Sequence, residues 1–60
     1  MNFVKGERVM TPLGAGGVAY QRMKGPDYTE AEAVSVCLDS KKNNIDYTGT
    51  LFPADKVTKE

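Results

Sequence analysis

Ala33-Val34-Ser35-Val36-Cys37-Leu38-Asp39 alternates with period two and is rich in β-branched residues, so it predicts a central strand. Val34, Val36 and Leu38 then share one face, and Ser35 and Cys37 the other. The residues just before it are ambivalent. Tyr28-Thr29-Glu30-Ala31-Glu32-Ala33 admits a helical turn, because Ala and Glu are good helix formers and Asp27 or Thr29 can cap it. Elsewhere Gly6, Pro12, Gly14, Gly16, Gly17, Gly25, Pro26, Gly49 and Pro53 leave no stretch long enough for a stable helix.

Four more strands are read outward from this one. Residues 7–10 form a short strand closed by Thr11-Pro12-Leu13-Gly14, since Pro12 cannot donate to a central ladder. Gly16-Gly17 offers a reversal into a strand over residues 18–23. Lys41-Lys42-Asn43-Asn44 is a polar turn leading to a strand at residues 49–52. Pro53-Ala54-Asp55 fits a single 3₁₀ turn, and residues 56–58 complete the set. Val9, Val18, Val34, Val36, Leu38, Phe52 and Val57 are the expected core. Short strands with closely spaced turns suggest a sheet curled on itself, because closure removes exposed edges.

Sixty residues allow one domain, which at this size buries only about 60% of the surface its unfolded chain exposes. Apolar residues make up 40% and charged residues 27%, proportions that favour a folded domain over disorder. No apolar run approaches the roughly 20 residues of a membrane helix. Met1-Asn2-Phe3-Val4-Lys5 lacks the apolar stretch of a secretory signal, so the expected location is cytoplasmic. Cys37 is a lone cysteine and there is no His, so neither a disulfide nor a zinc site is expected, and no cofactor is implied. Eight basic residues balance eight acidic ones, which removes the global attraction to phosphate backbones. The charges are nevertheless polarised: residues 1–24 carry +3, residues 25–39 carry −4 and residues 40–60 carry +1.

Two segments carry a family resemblance. Gly49-Thr50-Leu51-Phe52-Pro53-Ala54-Asp55-Lys56-Val57 resembles the ending of SH3 domains, in which a strand closes in an apolar residue and Pro before a short turn and a final Val. Val4-Lys5-Gly6-Glu7-Arg8-Val9, followed by Thr11-Pro12-Leu13-Gly14-Ala15-Gly16-Gly17-Val18, resembles the opening of small barrels of the KOW, Tudor and CarD-like kind. Together they cover about half the chain and imply an all-β, five-stranded SH3-like barrel over residues 1–60, with one long loop and a short 3₁₀ turn before the last strand. Recognition of proline-rich peptides is not expected, because the chain lacks Trp and the Ala-Leu-Tyr-Asp-Tyr opening, and has Lys56 where the closing motif offers Tyr. The chain is also similar in size and barrel type to plasmid-borne type II dihydrofolate reductases. Their Val-Gln-Ile-Tyr motif would fall near Thr50-Leu51-Phe52-Pro53, which has no Gln, so that activity is a remote alternative.

No catalytic constellation is apparent. Gly14-Ala15-Gly16-Gly17 lacks the Lys-Ser/Thr pair and the helix of a phosphate-binding loop, and reads as a hairpin turn. Cys37 has no basic sequence neighbour to activate it. Glu30, Glu32, Asp27 and Asp39 read as a solvated loop in preference to an acid/base or cation site. The connection from Lys24 to Glu32 is the longest expected loop, with Tyr28 at its tip, a place where recognition commonly occurs. Leu51 should point outward because its neighbour Phe52 points in. The expected function is therefore a non-enzymatic module that binds a protein, or its own copy, through an apolar patch of Met10, Tyr28, Tyr47 and Leu51. The alternative is nucleic-acid binding through Arg8, Arg22 and Lys24, with Lys41 and Lys42 on phosphates and Tyr20, Tyr28 and Tyr47 stacking on unpaired bases; Tyr20 is equally readable as core.

Overall fold

The computed structural model describes residues 2–26 and 30–60. Five antiparallel strands form one sheet: β1 (Arg8–Thr11), β2 (Gly14–Lys24), β3 (Glu30–Leu38), β4 (Thr50–Pro53) and β5 (Thr58–Lys59), with a 3₁₀ turn at Ala54–Lys56 between the last two. Their order is β4-β3-β2-β1-β5. The all-β class, the strand count and the 3₁₀ turn agree with the expectation, but closure does not. β4 and β5 lie at opposite edges of the sheet and no ladder joins them, so the barrel is left open. The sheet still curls, because Phe52 from β4 and Val57 beside β5 meet in one core.

All seven expected core residues are buried, Val9, Val34 and Val36 completely. Burying each such side chain is worth about 1.5–3 kcal/mol. Phe3 and Ala31 join them unforeseen. Phe3 is held by its amide, which donates to Gln21 Oε1 at 2.8 Å, while the Ala31 amide donates to Asn2 Oδ1 at 3.0 Å. The N-terminal segment thus covers the interior end of β2 and β3.

The first reversal corrects the sequence reading. The chain turns at Pro12-Leu13, with Thr11 paired to Gly14, and not at Gly16-Gly17. Pro12 is preset for the first corner of such a turn. The buried Thr11 hydroxyl secures it by donating to the Gly14 carbonyl at 2.7 Å and accepting from the Leu13 amide at 3.2 Å. Gly16 lies inside β2, between Val9 and Leu38. A Cβ there would come within 2.7 Å of Val36 Cγ1 and closer still to the Cys37 carbonyl oxygen. Gly16 therefore serves the tight approach of β2 to β3, a role that glycine fills within a curled strand.

The helical turn that the sequence admits before Val34 does not form at Glu30 to Ala33, which belong to β3, where Ala31 fills the core opposite Met23. Burial of Ala31 against β2 outweighs the weak helical preference of an isolated turn. The connection before it is correspondingly shorter, and Asp27, Tyr28 and Thr29 lie outside the described residues.

Candidate functional site

The two faces of the sheet are set by the register, and a bulge in β2 decides what the outer face displays. Val18 pairs with Val36, but the next pair is Tyr20 with Ser35, leaving Ala19 as the extra residue. Without that insertion, Tyr20 would stand opposite Val34 and enter the core. With it, the side-chain parity slips by one, and Tyr20 is turned out and 59% exposed. The reading of Tyr20 as core is overturned for this reason. The compensating change is Gln21, which takes the position opposite Val34 and receives the Phe3 amide.

Ser35 pairs with Tyr20 on one side and with Leu51 on the other, so one row crosses three strands as Tyr20, Ser35, Leu51. Ser35 is buried, whereas Leu51 is 51% exposed, the outward direction expected of it. The next row is Arg22, Ala33, Pro53. Side by side, these rows make a face with an aromatic ring, an aliphatic side chain and a proline, bordered by a guanidinium. Lys24 follows Arg22 on the same face.

Met10 is also exposed, at 46%, but it pairs with Ala15. Its row is five positions along β2 from the Tyr20 row, about 17 Å at the usual strand rise. Met10 and Leu51 thus occupy separate parts of the surface. Tyr28 lies outside the described residues. Arg8, opposite Gly17, is likewise separated from Arg22 and Lys24.

Tyr47 is half-buried and committed to the fold. Its hydroxyl donates to the Val36 carbonyl at 3.1 Å, and the Leu38 amide donates to it at 3.1 Å. A phenol has one proton, so at 2.7 Å the Thr50 hydroxyl must be the donor to the same oxygen. β4 ends its pairing at Val36, and Tyr47 supplies beyond that point the partner that β3 would otherwise lack. Lys41 Nζ stands 6.0 Å from the ring centroid, at the outer limit of a cation–π contact.

Arg8 reaches across β2 to Asp39, with Nη1 at 2.8 Å from Oδ1 and Nη2 on Oδ2. Its Nε also lies 3.5 Å from Glu60 Oε2. The hydrogen bond from Arg8 holds the Asp39 carboxyl below the usual aspartate range, its charge and that of Lys42 adding to the effect against a desolvation that works the other way. The Arg8 guanidinium is held above its already high value chiefly by the same bond to Asp39. Asp39 therefore stands apart from Glu30 and Glu32, which sit at the opposite end of β3 as exposed strand residues.

The open seam of the sheet leaves a groove of about 420 Å³ between the start of β3 and the 3₁₀ turn, lined by Glu30, Ala31, Ala54, Asp55, Val57 and Thr58. Among the described residues no three potential metal ligands cluster, and no helix is long and apolar enough to cross a membrane. Cys37 is a free thiol, half-buried on the outer face. No family model, no characterised protein and no solved structure matches this chain.

Proposed function

We propose that the chain is a non-enzymatic, cytoplasmic binding module that engages a protein partner through the outer face of β2, β3 and β4. The observation that carries this reading is the bulge at Ala19. It costs β2 a regular register and puts a large aromatic at the surface across Ser35 from an exposed Leu51. Bulges that re-aim a side chain are typical of functional surfaces, and Tyr with an aliphatic neighbour gives large contact area at small entropic cost. Met10 is not part of this contact, and Tyr47 supports it only by fixing the end of β4.

The fold is proposed to be SH3-like in topology. Support comes from the first strand lying between the second and the fifth, and from the one-turn 3₁₀ segment between the fourth and the fifth.

A photo-crosslinking amino acid placed at Tyr20 tests the interface, with Ile45, an exposed residue of the distant turn, as control. Protein adducts from position 20 and not from position 45, competed by unmodified chain, are the expected result. Equal labelling from both positions removes the reading. A second reading, single-stranded nucleic-acid binding, is favoured by Tyr20, Arg22 and Lys24 following one another on the same face of β2. Anisotropy of a labelled oligonucleotide measured against salt discriminates the two, since phosphate contacts give a steep salt dependence.

A further inference from the structure

β4 stops pairing with β3 at Ala33, opposite Pro53, and the chain leaves the sheet there through the 3₁₀ turn. The first residues of β3 have β2 on one side, with Lys24 opposite Glu30 and Met23 opposite Ala31, and among the described residues no strand on the other. Ala54 packs against the core and Val57 enters it, which holds the turn close to this unpaired stretch. The groove of about 420 Å³ lies between them. Its volume falls within the roughly 300–1,000 Å³ of ligand sites.

Hydrogen-bond accounting narrows what the groove accepts. Ala31, Ala54 and Val57 give it an apolar floor. The Ala31 amide already donates to Asn2 Oδ1 at 3.0 Å, and the Val57 amide to the Ala54 carbonyl at 3.2 Å, so neither remains for an anion. Glu30 and Asp55 are exposed carboxylates, which when ionised only accept. Neither takes part in an ion pair among the described residues. Lys24 stands opposite Glu30 without pairing to it, and the exposed Lys56 lines no part of the groove. Thr58 adds one hydroxyl. An anion entering here meets two like charges, and a neutral apolar ligand strips water from both carboxylates without replacing it. A cation on an aliphatic stem satisfies both parts, because lysine and arginine side chains lay their methylenes on apolar surface while the charged head stays with polar groups.

We propose that this groove is a docking site for a lysine or arginine side chain of a protein partner, the stem lying on Ala31, Ala54 and Val57 and the cation meeting Glu30 and Asp55. None of the lining residues belongs to the Tyr20 or Arg22 rows, so the inference stands apart from the reading of the outer face.

Amide chemical shifts of the isotope-labelled chain, titrated with the blocked peptide Gly-Gly-Arg-Gly-Gly, test it. The same peptide with lysine, and with citrulline as the neutral isostere of arginine, gives the comparison. The expected result is shifts concentrated at Glu30, Ala31, Ala54, Asp55 and Thr58 with both cationic peptides and none with citrulline. Glu30→Gln and Asp55→Asn should each weaken binding about two- to fivefold, the worth of an exposed ion pair. Asp46→Asn removes the same charge from the exposed turn at the far end of β3 and should leave the affinity unchanged. Ala54→Leu fills the floor, retains both carboxylates and should weaken binding as well. The spectrum of each variant reports its fold, and if Ala54→Leu does not fold the charge variants decide. Equal weakening by Asp46→Asn, equal shifts with citrulline, or no shifts with either cationic peptide at millimolar concentration overturns the proposal. Shifts at Tyr20 and Leu51 in place of the groove overturn it too, while leaving the outer face as a contact surface.

Discussion

Replacing Tyr47 by Phe deletes one oxygen atom and, with it, three hydrogen bonds, to Val36, Leu38 and Thr50. The ring is kept, so packing against the core changes little. What remains is the Leu38 amide on a residue that is only 1% exposed, with no strand beside it on that side. An unsatisfied buried amide costs about 1–3 kcal/mol, whereas a group that water can reach costs about 0.5–1.5 kcal/mol. Leu38 is buried but Tyr47 is only half so, which places the loss near 2 kcal/mol, toward the middle of the first range. A chain of this size is stable by roughly 3–9 kcal/mol, so about a fifth to two thirds of its stability depends on this hydroxyl. The corresponding fall in Tm is about 8–16 °C. Urea denaturation at 25 °C measures it, with an unchanged m-value showing that the unfolded state is the same. Thr50→Val and the double variant complete a cycle, and the two losses should not add, because both remove the same short bond. A loss below about 0.5 kcal/mol would show that water replaces the phenol at once, and the end of β3 would then owe nothing to Tyr47.

Other residues give sharper contrasts. Gly16→Ala should destabilise by about 1–3 kcal/mol through overpacking against Val36 and the Cys37 carbonyl, while Gly17→Ala, with open space at its Cβ, should be neutral within about 0.5 kcal/mol; equal losses in thermal melts would refute the close approach at Gly16. The depressed Asp39 carboxyl contributes stability above the normal aspartate pKa near 4 and loses it as pH falls through its lower folded value. Asp39→Asn should therefore flatten the acid limb of a stability-versus-pH curve, and parallel curves would count against the Arg8 pair. That pair is exposed, so added salt should weaken it. Tyr20→Ser should leave Tm within a few degrees, since the ring lies outside the core, and a Tyr20→Ser chain should fail to compete for the adducts formed from position 20 as the unmodified chain does; a large fall in Tm would place Tyr20 in the fold instead.

Alternation in Ala33-Val34-Ser35-Val36-Cys37-Leu38, the Gly and Pro punctuation and the Phe52-Pro53 ending were enough to place five strands, the 3₁₀ turn and seven core residues. Each depends on local periodicity or on a residue's own φ restriction, and both are written in a few adjacent positions. On the outer face Ser35, Cys37 and Leu51 were legible, each through alternation with its core neighbours. Tyr20 was not, because the bulge at Ala19 arises from how residues 16–24 of β2 run against residues 30–38 of β3, a relation between strands. Gly16 misled for a similar reason: its freedom suits a turn, and only the nearness of Val36 and Cys37 shows that lack of a side chain is what matters. Tyr47, amphipathic and set in a polar loop, reads as a contact residue until the end of β4 leaves Leu38 in need of an acceptor. Local sequence determined which residues extend and which faces are apolar. Register, edge and closure were decided only in three dimensions, because they balance packing and hydrogen bonds between segments far apart in the chain.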